Sequence, residues 1–536
     1  MSVLDARKAE PGTTIEADVC VVGAGAAGIT LAGALAKGRT RVCLVEAGGS
    51  TPDEDTQALH ELDSIGQPVR ENFMARARYL GGTCNLWAGR SMRLSPDDLA
   101  PRSWVPDSGW PIAGEELADD YREAGRVLDL PDERSFQREL WQGRLRPDEA
   151  QLLSREGLVP AISLWARSTV RFGRKYGRAL KRSRDVQVLL HANATELTTT
   201  SDGTRVDALR VATLNGRTHT VRAKRYVLAC GGIENARLLL ASRDRRAAGL
   251  GNEHDVVGRY FMDHPRTIFG RVHLRPARMP HLRGLPLPDG KVQVGVGTSH
   301  QVQQADELLN HYVTFENAWS DYTAARYESF IQTMKVLLRR GYAGKRSDVG
   351  KARLNRIPEL IYLFTPKELL PHPIYRLGSL ARRSLRRPKP EERVVVYFCE
   401  QPPLRESRVT LGPTQDALGV PKVVLDWQLG PRVAADVLRL QERLATEIEA
   451  SGLGRLERGE GEPVFTDASH HMGTTRMGDD PRTSVVDKNL RVHSVPNLYV
   501  ASSSAFPSAG HANPTLTIVA LSLRLARHLN AESEAS

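Results

Sequence analysis

Short apolar runs separated by polar stretches set the pattern at both ends of the chain. Residues 16–22, Glu-Ala-Asp-Val-Cys-Val-Val, predict a buried strand, and residues 41–45, Arg-Val-Cys-Leu-Val, a second one that ends at Glu46. Between them, residues 26–37 predict a helix whose small residues face the sheet, followed by a turn at Gly38-Arg39-Thr40. Together they make one βαβ unit. Polar sequence over 48–72 reads as helix and loop, 114–127 as a helix, and 131–181 as helix and loop with scattered basic residues. Residues 185–190 predict a strand, and 205–212 with 218–223 a small antiparallel ribbon. Residues 226–229 predict a buried strand that meets a glycine pair and then a helix through Leu238 and Leu240, a second junction that returns the chain to the first sheet.

After residue 265 the pattern changes. Residues 267–272, 291–296, 393–399 and 423–427 predict widely separated strands of a mostly antiparallel sheet, interrupted by helical insertions, one around 322–339. Val433, Val437, Leu440, Leu444 and Ile448 stripe one face of a helix over 432–449. Residues 498–501 predict a last strand. Asn513-Pro514-Thr515 opens a terminal helix to about Leu529, with Pro514 suited to its first turn. No internal repeat or long low-complexity segment is seen.

Composition narrows the class. A chain of 536 residues, 40% hydrophobic and 26% charged, has material for two domains or more and a sizeable core. The net charge of +11 permits an anionic ligand, nucleic acid or a membrane surface. The positives are spread along the chain apart from one dense run at 381–393, which reads as a solvated loop, with a docking surface as the alternative. No reader helix, zinc spacing or aromatic-basic platform supports nucleic acid. Residues 1–15 lack an apolar secretory core, and no stretch reaches the roughly 18 apolar residues a spanning helix needs, so no membrane partner is expected. Cys20, Cys43, Cys84, Cys230 and Cys399 are odd in number and show no C-x-x-C spacing. Neither a metal site nor a disulfide framework is expected, and a reducing, cytoplasmic setting fits best.

The candidate chemistry sits at the two ends. Gly23, Gly25 and Gly28 follow the first strand at once, so the backbone can approach a pyrophosphate whose charge the helix N-terminus favours. Glu46 would accept hydrogen bonds from ribose hydroxyls, which favours FAD or NAD over NADP. Gly81 and Gly82 beside Thr83, Asn85 and Trp87 suggest backbone threaded past a flat ligand. Near the C-terminus stand Ser469-His470-His471-Met472-Gly473-Thr474 and, further on, His511-Ala512-Asn513-Pro514-Thr515. A cofactor motif at the start and histidine chemistry at the end require the C-terminus to fold back onto the N-terminus.

These motifs, with the Cys230-Gly-Gly-Ile-Glu-Asn235 return, carry a resemblance. Over nearly its whole length, least in the middle, the chain is similar to the glucose–methanol–choline (GMC) oxidoreductases, FAD enzymes that oxidise alcohols. Within them it most resembles the pyranose oxidases and their bacterial relatives, including glycoside oxidases and enzymes acting on aminoglycoside precursors. The resemblance implies an α/β fold. A Rossmann-like FAD-binding domain of the glutathione-reductase type would be assembled from 1–100, 186–265 and 466–536. A helical and loop region would span 101–185, and an α+β substrate domain on a mostly antiparallel sheet would span 266–465. It implies FAD contacts from Gly23, Gly25, Ala26, Ala27, Gly28, Glu46 and Ala47. The next loop would add Arg78, Gly81, Gly82, Thr83, Asn85, Leu86, Trp87 and Ala88. Backbone around Ala192, Asn193 and Ala194 would meet the adenine, with nothing expected of the His191 side chain. Ala229, Cys230, Gly231 and Asn235 would follow, then Ser503, Ala505, Asn513, Pro514 and Thr515. Several pyranose oxidases carry at the position of Leu86 a histidine that bonds the flavin; leucine cannot, so FAD is expected to be non-covalent.

His470 matches the family's catalytic histidine, and Asn513 the second catalytic position, which is histidine in other branches. His471 and His511 are expected to pack or to support them. Oxidising a CH–OH group needs a base for the hydroxyl proton, which His470 suits, while hydride passes to flavin N5. Asn513 can donate to the developing alkoxide without competing for the proton. The expected substrate is a sugar, glycoside, related polyol or aminoglycoside precursor, with O2 or another electron acceptor reoxidising FAD. Trp87, Trp319 and Trp427 are candidate stacking surfaces, although core packing suits any one of them as well. Glu316, Glu400 and Asp263 are candidate pocket carboxylates. Two other functions stay open: an FAD oxidoreductase of an apolar alcohol or sterol, and a non-enzymatic basic nucleotide-binding protein. Oligomers are common in the family, so a homo-oligomer is also open.

Overall fold

The computed structural model describes residues 3–69, 75–137, 139–155, 157–275, 282, 284–317 and 392–534. Trp319, the helical insertion at 322–339 and the basic run at 381–391 lie outside the described residues.

The first sheet is mixed and mostly parallel. Its order is Val3–Asp5, Val186–Leu190, Val42–Val45, Thr14–Val22, Thr218–Leu228, Val206–Ala212 and Asn193–Thr199. Leu498–Val500 joins in parallel to the end of Thr218–Leu228. Val19 to Val22 and Val42 to Val45 are buried on both faces, as strands covered on both sides must be. The helix Ala26–Lys37 lies close on this sheet because Gly28 has no side chain: a Cβ there would sit 1.9 Å from the Gly23 carbonyl oxygen. The terminal helix Thr515–Glu534 packs on Ala26–Lys37, and Thr40 Oγ1 donates to Asn530 Oδ1 at 3.0 Å. The two ends of the chain therefore share one layer.

The second sheet is antiparallel. Its order is Leu285–Leu287, Gly290–Thr298, Tyr312–Asn317, Glu392–Phe398, Arg266–Leu274 and Gly454–Glu457, with Leu158–Ala166 along the other edge of Gly290–Thr298. The helix Arg432–Ala450 carries the predicted stripe, all of it buried. A small third sheet joins Arg408–Gln415, Pro421–Trp427 and Leu62–Gly66. The α/β class with a second, mostly antiparallel sheet is thus borne out.

Several predicted elements need correction. The stretch 131–181 is not only helix and loop, because Leu158–Ala166 is a full strand of the second sheet. The stretch 48–72 holds the strand Leu62–Gly66. Thr218–Leu228 is one strand rather than two, the polar Lys224 and Arg225 merely lying at its less covered part. Asn193–Thr199, Tyr312–Asn317 and Arg408–Gln415 are strands the apolar pattern did not announce. Each pairs with a partner that an isolated stretch of sequence cannot reveal.

One buried ion pair ties the regions together. Arg102 Nη1 donates to Glu400 Oε2 at 2.9 Å, Arg102 Nη2 bonds Glu400 Oε1, and both side chains are essentially inaccessible. Asn310 N–H adds a third donor to Glu400 at 2.8 Å. Removing one partner strands the other charge in the interior. Arg102→Ala is expected to destabilise the protein by about 3–5 kcal/mol, whereas an apolar pair at 102 and 400 should cost less. Denaturant unfolding of the single and double variants checks both.

Candidate active site

A cavity of about 240 Å³ runs from the glycine-rich turn to the second strand–helix junction. Gly25 caps the Ala26–Lys37 helix without a side-chain hydrogen bond, which leaves the first N–H groups of that helix facing the cavity. A Cβ on Gly25 or on Gly231 would meet no protein atom and would project into open space. Glu46 is buried in the cavity wall, where Oε2 accepts from Ala24 N–H at 3.0 Å and Oε1 from Gly48 N–H at 2.9 Å. Burial raises the Glu46 carboxyl above its ordinary range, opposed by those N–H groups and by Arg78.

The wall also holds a charged cluster that the sequence reading did not identify. Arg76 and Arg78 both pair with Glu234, Arg78 Nη2 at 2.6 Å. Arg237 pairs with Asp416 at 2.7 Å and with Glu234 at 3.4 Å. Burial pushes the Glu234 carboxyl up, but the Arg78, Arg237 and Arg76 charges win and hold it below its ordinary range. The Glu234/Arg237 spacing on one helix face was the available signal; their partners come from distant loops.

The predicted cofactor residues divide into two sets. Gly23, Gly25, Ala26, Ala27, Glu46 and Ala47 line the cavity, as do Arg78, Gly82, Thr83, Ala192, Asn193 and Ala194. Ala229, Cys230, Gly231 and Ser503 complete that set. Gly28, Gly81, Asn85, Leu86, Trp87, Ala88, Asn235, Ala505, Asn513, Pro514 and Thr515 do not line it. Several of these build the wall from behind. Gly81 takes φ 102°, donates to Ala24 O at 2.8 Å and so sets its loop against the glycine-rich turn. Asn85 Nδ2 donates to Leu80 O, Trp87 Nε1 to Val170 O, and Asn235 Nδ2 to Ser504 Oγ. Among the described residues, buried Asn193 Oδ1 and Arg78 Nε have no hydrogen-bond partner. Orphan polar atoms, an uncapped helix N-terminus and glycines open to the cavity fit a dinucleotide such as FAD.

The second part of the site lies where residues 261–265 meet 467–473. Met262 and Met472 exchange backbone hydrogen bonds of 3.0 and 2.9 Å. The fully buried Asp263 carboxylate accepts from the N–H groups of His264 at 2.6 Å, Ala468 at 3.1 Å and His470 at 3.1 Å. Burial and then Asp467 push Asp263 up to about 7 against these donors. The clamp brings two histidines together: His264 Nδ1 lies 2.9 Å from His470 Nδ1, the rings edge to face. On the other side, Asn513 Nδ2 lies 3.3 Å from His470 Nε2.

The partners decide the tautomers. Ala509 O can only accept, so His264 Nε2, 3.4 Å away, carries the hydrogen. Burial lowers His264 to about 4, so the ring is neutral and its Nδ1 is bare. His470 Nδ1–H then donates to it, and the unprotonated His470 Nε2 accepts from the Asn513 amide at 3.3 Å. Burial, followed by His264, Arg266, His471 and Arg90, holds His470 well below the usual imidazole range. His264 was absent from the sequence reading; its only signal there was the Asp263-His264-Pro265 triplet.

The other candidates have plain positions. His471 is buried against Phe261 and lowered by burial to about 3. His511 packs on Tyr312 with ring centres 4.7 Å apart, and its buried Nδ1 has no partner among the described residues. Trp427 is core, its Nε1 donating to Gln401 Oε1 at 2.8 Å. Glu400 is consumed by Arg102, Asp263 by backbone N–H groups, and Glu316 accepts from Gln293 Nε2 at 3.2 Å.

Comparison with known proteins adds to this geometry. A family model described as GMC oxidoreductase matches residues 403–522. The chain is 27% identical over 559 residues to paromamine 6'-oxidase of Streptomyces fradiae, covering 95% of this chain and 90% of that one. It is 29% identical over 323 residues to the fructose dehydrogenase large subunit of Gluconobacter japonicus, covering 60% of this chain but only 50% of that protein. Pyridoxine 4-oxidase from Mesorbium loti superposes with a TM-score of 0.53 at 18% identity, over 96% of this chain and 99% of that one, which shows a common fold.

Gly25 tests the cavity directly, because its backbone, at φ −84° and ψ −163°, accepts any residue. Gly25→Val should fold, project into the cavity at the helix N-terminus and purify with little or no flavin absorbance, whereas the unaltered protein is expected to purify yellow.

Proposed function

We propose that this chain, which belongs to the GMC oxidoreductase family, is an FAD-dependent oxidoreductase that oxidises a CH–OH group of a sugar, glycoside or related polyol. The observation that carries the reading is the His264–His470–Asn513 chain of contacts, which makes His470 Nε2 the acceptor beside the Asn513 amide. Relatives named a paromamine 6'-oxidase and a fructose dehydrogenase support the substrate class.

The residues act as follows. His470 Nε2 takes the hydroxyl proton of the substrate, the hydroxyl replacing the Asn513 amide as donor to its lone pair. Asn513 Nδ2–H donates to the same oxygen as negative charge develops there. His264 holds His470 in the required tautomer through the Nδ1 contact, and Asp263 fixes the backbone of both rings. When bound, FAD supplies the acceptor for the two electrons, and O2 or another acceptor takes them on. Gly23, Gly25, the Ala26 helix terminus and Glu46 would hold its pyrophosphate and ribose. Leu86 offers no nucleophile, so the flavin is held without a covalent bond.

His470→Ala should retain FAD while anaerobic flavin reduction by substrate slows by about 100-fold or more. A near-normal rate in stopped flow contradicts the assignment. The lowered pKa of His470 sets the pH profile. A base held below the ordinary imidazole value stays unprotonated as pH falls, so the rate should remain level through about pH 6.5 and drop only in more acid solution. Acid precipitation should leave all the flavin in the supernatant; flavin retained in the pellet contradicts the non-covalent reading.

A further inference from the structure

Arg90 crosses the face of the second sheet beside this site. Ser91 exchanges backbone hydrogen bonds of 3.0 and 2.9 Å with Leu164 on the edge strand, which anchors Arg90 there. Its guanidinium then passes 5.0 Å from the Trp165 ring centre and 4.6 Å from that of Phe398. Nη2 donates to Gln293 Oε1 at 2.7 Å and Nη1 to Tyr312 Oη at 3.0 Å. The strand register puts Gln293, Tyr312, Phe398 and Arg266 on this one face. Tyr312 packs on His511, two residues before Asn513, and Arg266 follows His264 by two. This wall therefore adjoins the His470–Asn513 pair.

Among the described residues the charge of Arg90 is not answered by a carboxylate. Both acceptors of Arg90, Gln293 Oε1 and Tyr312 Oη, are neutral and engage only Nη2 and Nη1. Glu316, on the same face, accepts from Gln293 Nε2 at 3.2 Å and so stands one side chain away from Arg90. Arg266 adds a second guanidinium 5.8 Å from the Phe398 ring centre. A half-buried guanidinium whose planar fork retains free N–H groups suits a carboxylate, and the same field repels an ammonium group.

We propose that Arg90 is a specificity-determining residue that selects a substrate bearing a carboxylate, so that the sugar oxidised here is an acid of the uronate class. This rests on the reading of His470 and Asn513 as the reacting pair.

Matched sugars test it: D-glucuronate, D-glucose and D-glucosamine, each titrated anaerobically into the flavin-loaded protein by calorimetry, with flavin bleaching followed separately. Glucuronate should bind at least about ten-fold more tightly than glucose, and glucosamine more weakly than either. Arg90→Gln should narrow the preference of glucuronate over glucose to within about two-fold, with Arg90→Lys retaining part of it. Absence of glucuronate binding, tighter binding of glucosamine, or equal losses for all three sugars in Arg90→Gln overturns the proposal. Glucuronate that binds with the expected preference but leaves the flavin oxidised upholds the anion site and contradicts the oxidation reading instead.

Discussion

The carboxylate of Asp263 is the constraint on which the candidate active site depends. It accepts N–H groups from its own neighbour His264 and from Ala468 and His470, some two hundred residues later. A buried carboxylate without such donors would be strongly unfavourable, so the two segments must meet for either to be stable. The Met262–Met472 bridge sets the register of that meeting. With the backbones fixed, the imidazoles have little freedom, and the tautomer of His470 follows from the acceptors around it.

The cavity obeys the same logic on a larger scale. Thr515–Glu534 packs on Ala26–Lys37, so the helix that begins two residues after Asn513 rests on the helix that opens the glycine-rich site. Closeness of Ala26–Lys37 to the sheet depends on Gly28, and closeness of the Gly81 loop depends on its positive φ. The proposed FAD-dependent chemistry thus draws on residues near both ends of the chain, and the antiparallel sheet supplies a wall of aromatic and basic side chains beside them.

Local pattern was enough for the first βαβ unit, the second strand–helix junction, the 432–450 helix and the terminal helix, because each buries a stripe or run readable in a short window. It was not enough for Leu158–Ala166 or Leu62–Gly66, whose pairing partners lie more than a hundred residues away. Motif spacing brought His470 and Asn513 forward together, and the structure sets them 3.3 Å apart. Nothing in spacing could announce His264, since its proximity to His470 exists only once Asp263 has joined the segments. Arg90 escaped notice for the same reason: an arginine after a glycine is unremarkable until the sheet face it crosses is known. Leu86 and Trp87, read as ligand neighbours, lie outside the cavity lining, and Trp87 Nε1 is turned to Val170 O.

The central claim is that a pinned pair of neutral histidines aims a bare His470 Nε2, with the Asn513 amide beside it, at the substrate hydroxyl. A crystal structure of the flavin-loaded protein with a tertiary-alcohol sugar analogue, which lacks the carbinol hydrogen and cannot be oxidised, tests it most directly. The account predicts the hydroxyl oxygen within hydrogen-bond reach of both His470 Nε2 and Asn513 Nδ2, with the His264–His470 contact intact. A hydroxyl bound elsewhere, or His470 turned so that Nδ1 faces the ligand, contradicts it.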